Sequence, residues 1–144
     1  MTPLQRTLTY RLHQLHKLSD VESHRAYLAE AKLSMSTGRC LAAIGSFAPL
    51  SVNDLAAMAN LTKGQASRAA QSLVQQQLVV KANSKTDGRG VVLTLTPEGR
   101  SRWRQVMALI DRRNQEIFGD LSVAEKQQFS DIVDRLLVRA AAHG

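Results

Sequence analysis

Cysteine is almost missing from this chain. Cys40 is the single one among 144 residues, which excludes a disulfide framework and any thiolate cluster around a metal. Aromatic residues make up only 4%, so the core is expected to be aliphatic and mostly helical. No apolar run approaches the roughly 18 residues that span a bilayer. The N-terminus also lacks the apolar stretch of a secretory leader. The expected location is therefore cytoplasmic, with no membrane partner. No Ser-His-Asp order, phosphate-cradling loop or other catalytic signature occurs, so the chain does not read as an enzyme and no cofactor is expected. The most telling shortage is of acid: no Asp or Glu stands between Asp54 and Asp87.

What fills that gap is basic. Over residues 60–90, Lys63, Arg68, Lys81, Lys85 and Arg89 face Asp87 alone. The whole chain has 19 Lys and Arg against 12 Asp and Glu, a net charge of +7, which favours polyanionic partners without establishing one. Residues 101–144 are nearly balanced, seven basic against six acidic, as a structural or dimerising arm can be. With 44% apolar residues the chain folds as one domain or as two small lobes sharing a core.

Hydrophobic spacing places the elements. Leu4, Leu8, Leu12, Leu15 and Leu18 recur every three or four residues, which predicts a first helix running on through Val21 and Leu28 toward Ala31. A second helix is expected from Ser36 to Gly45, burying Cys40, Leu41 and Ile44. Ser51 to Asp54 and Thr62 to Gln65 have the pattern of capping boxes, opening two helices joined by Ala59-Asn60-Leu61. Two capped helices this close form a helix-turn-helix. Leu78–Val80 and Val91–Leu95 are strand-like, around the polar segment 83–90. Thr96-Pro97-Glu98 then starts a helix with Trp103, Val106, Met107, Ile110 and Ile117 on its inner stripe. Ser122 to Glu125 caps the last one, whose apolar face carries Phe129, Ile132, Val133, Leu136, Leu137 and Ala140.

The fold class is thus mainly α: a winged helix-turn-helix flanked by N- and C-terminal dimerisation helices. The expected domains are 1–34 (dimerisation), 35–99 (DNA binding) and 100–144 (dimerisation). A lone chain offers the end helices little to pack on, so a two-fold homodimer is the natural solution.

The helix from Thr62 to about Gln75 is the candidate for the major groove. Lys63, Gln65, Ser67, Arg68 and Gln71 are its candidate DNA contacts. Arg68 suits guanine or phosphate, and Lys63 suits phosphate. In the wing, Lys85 and Arg89 are candidate contacts, with Arg89 suited to a narrow minor groove. Asp87, Gly88 and Gly90 shape the tip. The plain alternative is an ordinary solvated face and an ordinary hairpin turn. Cys40 reads as a buried inert thiol rather than a redox sensor. His13, His16 and His24 sit on the first helix without a completing carboxylate cage, so no metal site is expected.

Taken together, these residues resemble the MarR family of bacterial transcriptional regulators. Leu55-Ala56 and Leu61 match the opening of its helix-turn-helix, and Ser67-Arg68 its recognition helix. Leu73, Leu78 and Val79 match the way into the wing. Asp87-x-Arg89 followed by Leu93-Thr94-Leu95-Thr96-x-x-Gly99 matches its signature. The resemblance implies a homodimer interleaving the first, fifth and sixth helices on a short palindromic operator in double-stranded DNA. Members usually repress, and many release DNA when a small aromatic carboxylate or phenolic effector binds. In such relatives the pocket is walled by the first, second and fifth helices, where His24, Arg39 and Trp103 are the candidates here. Two departures stand out. Gln77 occupies a position where glycine is common, which implies strain if its φ is positive. The first helix also lacks the cysteine of peroxide sensors. Two other functions compete: an effector-independent DNA-binding accessory protein, and a winged-helix protein-interaction module.

Overall fold

The computed structural model describes residues 1–84 and 90–144. Four wing residues named above, Lys85, Asp87, Gly88 and Arg89, lie outside the described residues. A 3-10 turn, Leu4–Arg6, leads into α1 (Leu8–Ala26), which passes into a π-helical turn, Tyr27–Ala31. Then come α2 (Met35–Phe47), α3 (Val52–Met58), α4 (Lys63–Gln75), β1 (Val79–Asn83), β2 (Val91–Leu95), α5 (Pro97–Ile117) and α6 (Val123–His143). The first helical stretch thus reaches Ala31 as expected, but with a wider last turn. Lys32, at φ +57°, closes it. The chain divides into two compact units, Met1–Ile110 and Asp111–Gly144, and the division falls inside α5.

In the first unit, α2, α3, α4 and the hairpin enclose an aliphatic core. Leu41, Ile44, Leu55, Leu73, Val79, Leu93, Val106 and Cys40 are its largest fully buried side chains. Burial of each Leu or Ile contributes about 1.5–3 kcal/mol. Of the stripe expected on α5, Val106 is buried, while Trp103, Met107 and Ile110 are half-buried; Leu109 joins the core beside them. The Trp103 ring lies on α2 where any Cβ on Gly45 would collide with it, and its indole N–H donates to the Ala42 carbonyl at 3.2 Å.

β1 and β2 pair antiparallel, Val79 opposite Leu95 and Asn83 opposite Val91. Leu50 adds a single further rung: its N–H and C=O exchange hydrogen bonds with Leu93 at 3.3 and 2.7 Å. The connection before α3 is therefore stitched to the wing.

In the second unit, Ser122 and Glu125 form a reciprocal capping box at the start of α6. The backbone and hydroxyl of Ser122 hold the Glu125 carboxyl below its usual range. Phe118 meets Phe129 edge to face, ring centres 5.7 Å apart. Arg112 and Arg113 both reach Glu116, at 3.1 and 2.6 Å.

Two faces remain uncovered. On α1, Leu8, Leu12, Leu15 and Leu18 are all exposed, and on α6 so are Ile132, Leu136 and Leu137. Among the described residues no helix is long and apolar enough to cross a membrane.

Candidate nucleic-acid interface and adjoining hollow

The helix-turn-helix is built from local motifs at each joint. Ser51 Oγ accepts the Asp54 amide at 3.1 Å to start α3. At the far end of α3, Asn60 takes φ +56°. The Asn60 amide donates to Ala57 and the Leu61 amide to Ala56, 3.3 and 3.0 Å, which is the bonding of a Schellman cap. Asn tolerates that left-handed conformation better than most residues. Thr62 then opens α4: its hydroxyl accepts the Gln65 amide at 3.1 Å, and Gln65 Oε1 accepts the Thr62 amide at 3.0 Å.

α4 buries Ala66, Ala69, Ala70 and Leu73. With 3.6 residues per turn, its opposite side carries Gly64, Arg68, Gln71 and Gln75. Ser67 stands on the shoulder, and Lys63 and Gln65 stand on the flanks; all seven are exposed. A Cβ on Gly64 would lie 3.4 Å from Arg68 Nη1. The guanidinium thus lies back over the first turn, the part of a recognition helix that meets base edges. Gln65 is constrained in another way. Its carbonyl oxygen is engaged in the cap, so reading adenine through both amide atoms requires it to give up that bond.

α4 ends in a second Schellman cap. Gln77, at φ +62°, donates to Val74, and Leu78 donates to Leu73, both at 3.0 Å. This is the position where sequence comparison anticipated strain. The start of α5 closes over this joint. Thr96 Oγ1 donates to the Gln77 carbonyl at 2.7 Å, and the Thr96 amide donates to Leu78 at 3.1 Å. Thr96 Oγ1 in turn accepts the Gly99 amide at 2.9 Å. Any Cβ on Gly99 would collide with the Leu78 carbonyl oxygen, so the Thr96-x-x-Gly99 pattern is a close-approach requirement.

In the wing, the Ser84 amide donates to Gly90, which sits at φ +74°. Lys81 is exposed on β1. It belongs to the same acid-free stretch as Lys63 and Arg68 and was not singled out from the sequence as a contact.

Beside the turn, a hollow of about 480 Å³ opens between α1, α2, α3 and α5. His16, Arg39, Ser46, Phe47, Met58, Asn60, Met107 and Ile110 are among its lining residues. Arg39 lines this hollow; Trp103 and His24 do not. Trp103 is engaged with Gly45 and Ala42 as described, and His24 lies on a shallow surface of α1 shared with His16, Lys17, Asp20, Val21 and Arg25. Arg39 Nη2 donates to Asp20 Oδ1 at 3.1 Å, while Asp20 Oδ2 lies 3.2 Å from His16 Nε2. No sequence signal marks the Asp20–Arg39 pair, 19 positions apart on two helices. The four-residue spacing of His16 and Asp20 does mark the other half. Burial pushes the Tyr27 hydroxyl above its ordinary range, and the Arg39 charge partly offsets this. Cys40 is fully buried, and burial pushes its thiol up to about 11. Among the described residues no group of His, Cys, Asp or Glu is arranged to hold a metal ion.

The family model that matches this chain is that of the MarR family, over residues 32–90. No curated protein matches it in sequence. Solved structures match it nearly end to end. A MarR/EmrR family transcriptional regulator from an Acinetobacter species has 19% identity and a TM-score of 0.87, covering 98% of this chain and 99% of that one. BpsR of Bordetella bronchiseptica, whose DNA binding is regulated by 6-hydroxynicotinic acid, has 18% identity and a TM-score of 0.81, covering 94% and 96%. The PcaV transcriptional regulator of Streptomyces coelicolor, solved with its natural ligand, has 20% identity and a TM-score of 0.75, covering 97% and 98%. At such identities the structural likeness establishes the fold, and the family model covers the helix-turn-helix and the first arm of the wing. Residues 32–90 match the MarR family model, and the chain as a whole has the winged helix-turn-helix fold of solved MarR-family transcriptional regulators, which are DNA-binding proteins and not enzymes.

Proposed function

We propose that this protein is a cytoplasmic homodimeric repressor that binds a palindromic operator and lets go when a small aromatic carboxylate or phenol enters the hollow at Arg39. The observation that carries the DNA reading is the outward side of α4. There Arg68 and Gln71 stand exposed, with Ser67 on the shoulder and Lys63 on the flank, on a helix capped at both ends and followed directly by a hairpin. In this reading Arg68 reads a base edge in the major groove and Lys63 holds phosphate. Gln65, Ser67 and Gln71 add polar contacts, and Lys81 joins them from the wing. Lys85 and Arg89 follow by their place in the sequence, with Asp87, Gly88 and Gly90 shaping the tip.

The exposed stripes of α1 and α6 favour a dimer, because each is a leucine-rich face left to water. A groove of about 470 Å³ in the second unit, lined in part by Phe118, Leu121, Phe129 and Val133, suits an apolar helix from a second copy. The effector reading rests on a hollow of mixed polar and apolar lining, with a guanidinium in its wall beside Phe47, Met58, Met107 and Ile110. The ligand regulation of BpsR supports it.

The test is footprinting on the intergenic DNA beside its own gene, against random duplex, with the parent and Arg68→Ala. A discrete two-fold protected site, lost in the variant while random-duplex affinity persists, is expected. Diffuse protection by the parent would replace this reading with an accessory or protein-binding role.

A further inference from the structure

The Arg39 guanidinium is already occupied. Asp20, from α1, lies 3.1 Å from Nη2, and the two side chains are only 35% and 27% exposed for Arg39 and Asp20 respectively. Asp20 does not itself line the hollow, but an anion that reaches Arg39 from inside it meets a guanidinium whose charge Asp20 already balances from the α1 side. It gains from Arg39 only what Asp20 gives up. A carboxylate bonds best to guanidinium through two parallel N–H donors, and one Nη of Arg39 is engaged by Asp20. Asp20 also has a second partner that holds it if Arg39 lets go. Its second oxygen is 3.2 Å from His16 Nε2, and His16 lies on the same helix and lines the same hollow.

On the reading of the hollow as the effector site, we propose that Asp20 is a built-in competitor for the anion seat on Arg39. An effector carboxylate binds by exchanging with Asp20 on Arg39, while Asp20 keeps its existing contact with His16. Asp20 does not touch the effector; it sets the threshold concentration and makes the site favour carboxylates strong enough to displace it. The rest of the wall, with Phe47, Met58, Met107 and Ile110, accommodates a flat ring.

Calorimetry tests the exchange, with 4-hydroxybenzoate and its neutral counterpart 4-hydroxybenzamide as probes. The parent, Asp20→Asn, and Asp20→Asn combined with Arg39→Gln are compared. Asn keeps an acceptor for Arg39 but loses the charge, so the tie between α1 and α2 remains. Asp20→Asn is expected to bind the benzoate about fivefold tighter than the parent, the scale of releasing a partly exposed ion pair. The benzamide should show no such gain, and the double variant should abolish it. Equal benzoate affinity in parent and Asp20→Asn overturns the competitor role while leaving the effector site standing. A gain for benzamide as large as for benzoate also overturns it, because charge would not be the cause. No binding of either probe to any variant overturns both the competitor role and the carboxylate-effector reading.

Discussion

Gln77 holds a left-handed backbone conformation, φ +62°, that costs a side-chain-bearing residue roughly 1 kcal/mol. Its carbonyl and amide are both engaged, by Thr96 and Val74, so the conformation is imposed by the joint. Gln77→Gly should therefore raise stability by about 0.5–1 kcal/mol, offset in part by glycine's larger entropy loss. A thermal melt should show Tm a few degrees higher; a lower Tm would mean that the glutamine side chain contributes more than its strain costs. Cys40 makes a different residue-scale prediction. Its folded pKa, about 11, lies above the roughly 8.5 of an exposed thiol. Its contribution to stability is therefore full below about 8.5 and lost as pH rises toward 11. At pH 8 a chromogenic disulfide reagent should label the native chain only as fast as it unfolds. Rapid stoichiometric labelling of folded protein would reopen a redox role.

Among the elements, α1 and α6 are the ones whose apolar faces exceed what the chain itself covers. Leu12→Asp and Leu136→Asp, each at an exposed position, should leave the fold intact and yield a monomer at micromolar concentration in sedimentation velocity. An unchanged dimer mass in both would remove these stripes from the interface. Much of the element pattern was legible beforehand because its determinants are local. Thr62 with Gln65, and Ser122 with Glu125, announce their helices over four residues, and the leucine spacing of α1 announces its face. The rest depends on contacts that leave no periodic trace. The Leu50–Leu93 rung is one residue long. The Asp20–Arg39 pair joins two helices across 19 positions, and the placement of Trp103 is decided by Gly45 on another helix. The ligand nominees diverged for the same reason: sequence placed His24 and Arg39 on adjoining helices, but not which residue of α1 Arg39 would meet, and that residue is Asp20, one turn before His24.

For the molecule as a whole, charge is the readable property. Lys63, Arg68, Lys81, Lys85 and Arg89, with Asp87 the single acid among them and doubled in the proposed dimer, should make operator affinity fall by roughly 10³-fold between 50 and 200 mM salt. Fluorescence anisotropy on a labelled duplex measures this, and a nearly flat dependence would favour a protein partner over DNA. The lacing of Thr96 and Gly99 to Gln77 and Leu78 has a mechanical consequence. With a hydroxyl bonded on both sides and a glycine pressed against a carbonyl oxygen, the joint has no slack to absorb rotation. The end of α4, the root of the wing and the first turn of α5 are thereby coupled as one stiff crank. On the proposed DNA reading, a small twist at the start of α5 is passed on to the outward side of α4, so grip on DNA changes without deforming the helix that reads it.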